Sequence, residues 1–201
     1  MVLKFRTVRE FTRSLTLAAL VAAPVMSATS AKAEEVYFIR GFMNVFSTGM
    51  NSMTNQLRAR GVNAKALSNG QWKSVANNII ARSKRDAVSY PIVIAGHSVG
   101  GQEAPAMSNY LAKAGVPVKL VIGVDPGFAA PPPFTSGSPR VVNFYIRNSA
   151  RGKPYRRAGG FGGTIENIDI RGFSNADHVG IDKDRAVQSR IIAQVMAAIS
   201  S

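Results

Sequence analysis

Short apolar runs alternate along the chain with longer segments in which apolar residues recur every three or four positions. The apolar runs predict six strands, over residues 36–39, 62–67, 91–95, 118–124, 141–146 and 165–170. The periodic segments predict helices over residues 48–60, 72–83 and 98–114 and from 183 to the C-terminus. Strands that alternate with helices are typical of an open sheet with helices on both faces. We therefore predict a three-layer α/β fold with a mostly parallel sheet of about six strands.

Local signals indicate where several of these elements end. Gly61 and Gly115 follow the first and third predicted helices, where glycine is a common C-cap. Asp182 is predicted to be the N-cap of the last helix, because short polar side chains accept hydrogen bonds from the first turn. Trp72 is expected to anchor the core, and a platform for a ligand is the alternative.

The first 33 residues have the organisation of a secretory signal rather than of a folded element. Basic residues at positions 4, 6, 9 and 13 precede an apolar run over 15–26, and Ala31-Lys32-Ala33 fits a cleavage site. The run is shorter than the ~20 residues with which a helix crosses a bilayer, and Pro24 interrupts it. We predict an exported protein, periplasmic or secreted, whose single domain spans 34–201 without a transmembrane span. A retained membrane anchor is the alternative.

The composition is that of an ordinary globular domain, but the charge is strongly basic. Hydrophobic residues make up 46% of the chain and the formal net charge is +14. No cysteine is present, so the domain must be held together without disulfides. Many of the basic residues lie late in the chain, including Arg147–Arg157, which form either a solvated loop or a surface for an anionic partner. Nucleic acid is not favoured as that partner, because no recognised binding motif accompanies the charge.

A short glycine-rich motif supplies the first candidate for chemistry. Gly96-His97-Ser98-Val99-Gly100 satisfies the pattern G-x-S-x-G, which is weak evidence when it stands alone. Its context is more specific, since a predicted strand comes immediately before it and a predicted helix immediately after. That arrangement forms a sharp turn on which a serine hydroxyl projects from the sheet. Ser98 is therefore the candidate nucleophile, and the alternative is a serine that only caps the helix.

A serine nucleophile needs a base, and the chain contains only two histidines. His97 adjoins Ser98 on the predicted turn and is interpreted as a structural residue. His178 lies in a polar loop after the last predicted strand, which makes it the candidate base.

The candidate base in turn needs a carboxylate that fixes its tautomer. Asp125 ends the strand over 118–124, at the sheet edge where open α/β sheets bind their ligands. Asp177 and Asp169 are the alternatives, although Asp177 adjoins His178 in sequence and Asp169 lies within a predicted strand. No cluster of residues has the spacing of metal ligands, so neither a metal nor another cofactor is expected.

These residues resemble a small α/β-hydrolase, of the lid-less esterase, lipase, thioesterase or cutinase-like kind. The order Ser98, Asp125, His178 is the order that this family uses. The resemblance implies a minimal α/β-hydrolase fold and hydrolysis of a small ester or thioester through an acyl-enzyme. It also implies that the backbone N–H groups of Val99 and Phe42 bind the oxyanion.

The chain departs from the family pattern in several places. Arg40 stands where the family usually has a histidine before the glycine of the oxyanion turn. The candidate acid, Asp125, follows the strand over 118–124, as in a lipase variant of the family. The two leading antiparallel strands of the family are missing. Phe42, Phe46 and Phe128 are expected to line an open substrate cleft, because they follow strand ends. The competing hypothesis is a non-catalytic exported protein that binds an anionic envelope component on a hydrolase scaffold.

Overall fold

The computed structural model describes residues 34–201 apart from 43, 44, 46 and 138. The predicted signal segment lies outside these residues and stays a prediction. Within the described residues the strands are β1 (Glu35–Ile39), β2 (Ala64–Leu67), β3 (Ile92–His97), β4 (Leu120–Val124), β5 (Arg140–Tyr145) and β6 (Thr164–Asp169). The α-helices are α1 (Thr48–Arg58), α2 (Trp72–Ser83), α3 (Val99–Lys113) and α4 (Arg185–Ile199). The predicted alternation of strands and helices is confirmed.

The strands form one sheet in the order β2-β1-β3-β4-β5-β6, and every pair of neighbours is parallel. The chain moves from β1 to β2 on one side and then returns to place β3 on the other side of β1. The loops after β1 and β3 consequently diverge from adjacent strand ends. A divergence of this kind at the carboxyl edge of a sheet is where open α/β folds bind ligands.

Helices cover both faces of the sheet, as predicted. Met50, Met53 and Leu57 of α1 share one buried cluster with Ile191 and Val195 of α4. The opposite cluster contains buried residues of α2 and α3, namely Ala76, Ile79, Ala104, Met107 and Leu111. Because α1 follows β1 and α3 follows β3, the two diverging loops lead to opposite faces.

One local prediction needs correction. The N-cap of α4 is Asp184, whose carboxylate accepts a hydrogen bond from the Val187 N–H at 3.0 Å. Asp182 does not cap that helix, because its carboxylate instead accepts a hydrogen bond from the Gly49 N–H of α1 at 2.8 Å. Trp72 is only partly buried at the edge of the core and packs edge-on against Tyr110.

The basic segment after β5 is a loop, but it is not simply solvated. The Tyr155 side chain is buried, and its hydroxyl donates a hydrogen bond to the carbonyl oxygen of Gly101 at 2.6 Å. Phe161 is buried against Phe134. The segment is therefore attached to the beginning of α3.

No helix among the described residues is long and apolar enough to cross a membrane.

Candidate active site

The G-x-S-x-G motif forms a sharp turn between β3 and α3. β3 ends at His97, α3 begins at Val99, and Ser98 between them has φ 55° and ψ −118°. A Cβ atom on Gly96 would lie 2.0 Å from the carbonyl oxygen of Gly100, so this turn closes only with glycine at position 96. A non-glycine residue with positive φ is strained, and such strain concentrates at functional sites. The Ser98 side chain makes no capping hydrogen bond, which excludes the alternative of a simple helix cap.

The structure brings the three predicted site residues together in one chain of hydrogen bonds. The Ser98 hydroxyl lies 2.9 Å from Nε2 of His178, and Nδ1 of His178 lies 2.7 Å from Oδ2 of Asp125. A carboxylate can only accept, so Nδ1 carries the proton and Nε2 is left to accept from the hydroxyl. This is the tautomer that a histidine needs in order to take a proton from serine.

Asp125 is held firmly at the end of β4. It has no exposed surface, its N–H donates to the carbonyl oxygen of Phe144 at 2.8 Å, and its Oδ1 accepts from the Ile146 N–H at 2.9 Å. The two alternative acids have other partners. Asp177 accepts from the Gly180 N–H, and Asp169 accepts from the Arg171 N–H. Of the three carboxylates, Asp125 is the one that contacts the imidazole of His178.

His97 is buried beside the site and takes no part in this chain. Its ring contacts the hydroxyl of Ser47 through Nδ1 and the carbonyl oxygen of His178 through Nε2. Burial lowers the pKa of His97 to about 4, so its ring is neutral near pH 7. Ser47 belongs to no motif, and the pattern of the sequence gave no signal for it.

The residues whose N–H groups are implied for the oxyanion lie on two segments that meet at Ser98. Val99 is the first residue of α3, where helix N–H groups point outward and favour negative charge. The turn that carries Phe42 lies directly against the nucleophile, since a Cβ atom on Gly41 would be 3.0 Å from Cβ of Ser98. Arg40 points away from the site, because its guanidinium donates to Ser68 and Leu67.

A cavity of about 260 Å³ lies over Ser98 and His178. Most of its wall is apolar, and the residues that line it besides the Ser98–His178 pair are Phe42, Ser47, His97, Phe128, Arg151 and Val179. Phe42 and Phe128 are 59% and 60% exposed, which places them at the mouth of this cavity. Phe46 lies outside the described residues, and its predicted place in the cleft stays a prediction. A larger groove of about 740 Å³ runs between α1 and α4, but none of the three site residues lines it.

The cations of the late basic segment have different neighbours. Arg147 lies 3.8 Å from a carboxylate oxygen of Asp169, whereas the guanidinium of Arg157 stacks on Phe161. Arg151 is the member of this segment that lines the cavity, and its guanidinium lies 5.6 Å from the ring centre of Phe128.

Among the described residues, no group of three His, Asp or Glu side chains could hold a metal ion.

Comparison with known proteins agrees with this geometry. The family model for class 3 lipases matches residues 2–156, a range that includes Ser98 and Asp125 and ends before His178. A secreted mono- and diacylglycerol lipase of Fusarium solani is 30% identical over an alignment of 125 positions, which covers 59% of this chain. The match covers 34% of that relative, so the chain spans about a third of its length.

Solved structures share the fold at low sequence identity. Est1E from Butyrivibrio proteoclasticus superimposes with a TM-score of 0.53 at 12% identity, over 87% of this chain and 92% of that chain. The NocB thioesterase domain from the nocardicin cluster superimposes with a TM-score of 0.50 at 14% identity, over 85% of this chain and 96% of that chain. The resemblance to an α/β-hydrolase is thus confirmed. The chain belongs to the class 3 lipase family, and its fold is that of the α/β-hydrolases.

Proposed function

We propose that the protein hydrolyses carboxylic esters, with Ser98 as nucleophile, His178 as general base and acid, and Asp125 as the group that orients His178. The observation that carries the proposal is the continuous hydrogen-bonded chain from the Ser98 hydroxyl through the imidazole to the buried carboxylate. The ester class is supported by family membership and by the lipase named above. A thioester substrate rests on fold alone.

The proposed reaction is acyl transfer to water in two steps. The Ser98 oxygen attacks the carbonyl carbon while its proton passes to Nε2 of His178, and the N–H groups of Val99 and Phe42 stabilise the oxyanion. The imidazolium then gives this proton to the departing alcohol, which leaves an acyl-enzyme. In the second step His178 takes a proton from water, the hydroxide attacks the acyl carbon, and Ser98 regains its proton as the acid departs.

The cavity suggests the size of the acyl group. Ligand pockets for drug-sized molecules usually hold about 300–1,000 Å³, and the 260 Å³ here lies just below that range. Its apolar wall, with Phe42 and Phe128 at the mouth, suits a short hydrocarbon chain rather than a polar substituent. We therefore propose short-chain acyl esters as substrates.

Export also remains part of the proposal. The basic, apolar and small-residue segments of the first 33 residues support it, as does the description of the Fusarium relative as secreted. The comparisons lend no support to an anionic surface or polymer as partner of Arg147–Arg157.

Labelling with a fluorophosphonate tests the proposed function directly, because such a probe phosphonylates an activated serine. We expect labelling of Ser98 in the wild-type protein and none in Ser98→Ala or His178→Ala. Peptide mapping separates Ser98 from Ser47, which lines the same cavity. Hydrolysis of a short activated ester should fall by ~10⁴-fold or more in both variants. Folded wild-type protein that neither labels nor hydrolyses would instead support the non-catalytic binding protein.

A further inference from the structure

A second chain of hydrogen bonds runs behind Ser98 and His178, and the proposed mechanism does not use it. The Gly41 N–H donates to the Ser47 hydroxyl oxygen at 2.8 Å, and that oxygen lies 2.8 Å from Nδ1 of His97. On the other side of the ring, Nε2 of His97 lies 2.9 Å from the carbonyl oxygen of His178. The side chains of this chain are shielded from water, since Ser47 and His97 are each 1% exposed.

The chemistry of these groups permits one arrangement of protons in the neutral ring. A carbonyl oxygen only accepts hydrogen bonds, so Nε2 of His97 must carry the proton. Nδ1 is then a lone pair that accepts from the Ser47 O–H. The Ser47 hydroxyl donates its only proton to Nδ1, and its oxygen accepts the hydrogen bond from the Gly41 N–H. Each member of the chain therefore fixes the orientation of the next.

The two ends of this hydrogen-bonded chain lie on two parts of the site. Each of these parts must stay at a fixed distance from Ser98 for catalysis. Gly41 directly precedes Phe42, whose N–H is the proposed second oxyanion donor, and His178 supplies the base. We propose that Ser47 and His97 are positioning residues that hold the oxyanion turn and the His178 segment at a fixed separation. This inference rests on the proposed function, since it assigns roles within the same site.

Other contacts around the turn agree with this assignment. A Cβ atom on Gly41 would lie 2.8 Å from the Ser47 hydroxyl oxygen, so the turn has little room to move toward Ser47. A second buried hydrogen bond lies nearby, because Asp182, four residues after His178, accepts from the Gly49 N–H at the start of α1. His97 does not serve as a second base, because both of its ring nitrogens are engaged and its pKa is low.

A double-mutant cycle on kcat tests the positioning role. Ser47→Ala removes the hydroxyl, and His97→Gln retains an amide in the region of Nε2 while removing Nδ1. Losing one oxyanion donor costs ~10²–10³ in kcat, so a displaced donor should lower kcat by ~10- to 100-fold. KM should change by less than about twofold, because the interaction is made in the transition state. The kcat of the double variant should lie within about threefold of the kcat of the worse single variant, because both substitutions break the same hydrogen-bonded connection.

The control is Ser108→Ala. The Ser108 hydroxyl is also buried but has no hydrogen-bond partner among the described residues, so its removal should leave kcat within about twofold of wild type. Rates are normalised to the fraction of protein labelled by the fluorophosphonate, which removes any contribution from unfolded molecules.

Nitrogen NMR of the wild-type protein reports the protonation of His97 directly, before any variant is compared. The chain contains two histidines, so a sample labelled with ¹⁵N in the imidazole shows four ring nitrogens. We expect His97 to be protonated on Nε2 and unprotonated on Nδ1 near pH 7. Ser47→Ala should shift the Nδ1 resonance of His97, because that atom loses its donor.

The outcomes separate this inference from the proposed function. An inactive wild type that does not label at Ser98 counts against the proposed function. An active wild type with unchanged kcat in Ser47→Ala overturns only the positioning role. The positioning role is also overturned if the loss of kcat in the double variant equals the product of the two single losses. A proton found on Nδ1 of His97 would overturn it as well.

Discussion

The residues that meet at the candidate site could be named from the sequence because the choices were few. One G-x-S-x-G motif followed a predicted strand, and two histidines were available, of which one adjoined the serine. The contact between Ser47 and His97 could not be predicted, because these residues are 50 positions apart and neither lies in a pattern that points to the other. The structure brings Ser98, His178 and Asp125 together, and the catalytic role of each is proposed above.

Asp125→Asn tests the role of the carboxylate. We expect kcat to fall by ~10³- to 10⁴-fold, because the amide can donate to Nδ1 of His178 and favour the wrong tautomer. Asp177→Asn is the matched control, since Asp177 adjoins His178 in sequence but accepts from the Gly180 N–H. It should retain kcat within a fewfold of wild type. Steady-state kinetics with circular dichroism as a check on folding would contradict the assignment if both variants lost activity equally.

At the scale of elements, hydrophobic periodicity predicted which segments form strands and helices, and tertiary contacts set several of the ends. β3 continues to His97 because Gly96 and His97 pair with Gly123 and Val124 of β4. The N-cap of α4 was predicted two residues too early. Asp182 and Asp184 are equivalent as local signals, and the approach of α1 to Asp182 decides between them.

The placement of Asp182 predicts a pH-dependent stability. Burial raises its pKa to about 6, and its Oδ1 has no hydrogen-bond partner among the described residues. Between its ordinary pKa of about 3.9 and about 6, the folded state binds more protons than the unfolded state, so stability falls as pH rises. The stabilising contribution is fully present below pH ~4 and is lost as pH passes ~6, a change on the order of 3 kcal/mol.

Asp182→Asn removes this titration while an amide oxygen can still accept from Gly49. Denaturant unfolding of both proteins at several pH values isolates the contribution, because all other groups are shared. We expect wild type to lose stability relative to Asp182→Asn as pH rises from 4 to 7. A constant difference between the two proteins over that interval would exclude a raised pKa for Asp182.

At the scale of the whole molecule, alternation of strands and helices predicted the class of fold but not the strand order. Alternation is compatible with several orders, and the observed one depends on which side of β1 the chain adds β3. That step places the loops after β1 and β3 at adjacent strand ends, which is why Gly41 and Ser98 lie in contact. The cavity between them therefore arises from topology, and no single motif encodes it.

The net charge of the molecule leads to a prediction about substrate charge. Arg151 lines the cavity and makes no ion pair among the described residues, so it is available to attract an anionic ester. Arg151→Gln should lower kcat/KM for an anionic short ester by a fewfold relative to a neutral one, and added salt should reduce the difference. Arg157→Gln changes the net charge equally, but Arg157 does not line the cavity, so this substitution should have little effect. Equal behaviour of the two variants at low salt would exclude steering by Arg151.

The segment between β4 and β5 leads to the last prediction, which concerns access to the site. No helix forms in its described residues, and α3 holds it in place: Asn109 contacts the backbone of Pro133 and Thr135, and Gln102 contacts that of Ala129. A segment tied in this way cannot serve as a helical lid that must move before turnover. The rate on a short-chain glycerol ester should therefore follow simple saturation while the ester is dissolved. It should continue without a jump when the concentration passes the point at which droplets form. Initial rates measured across that point, with light scattering to locate it, decide the matter, because a sharp rise with the droplets would mean that an interface opens the site.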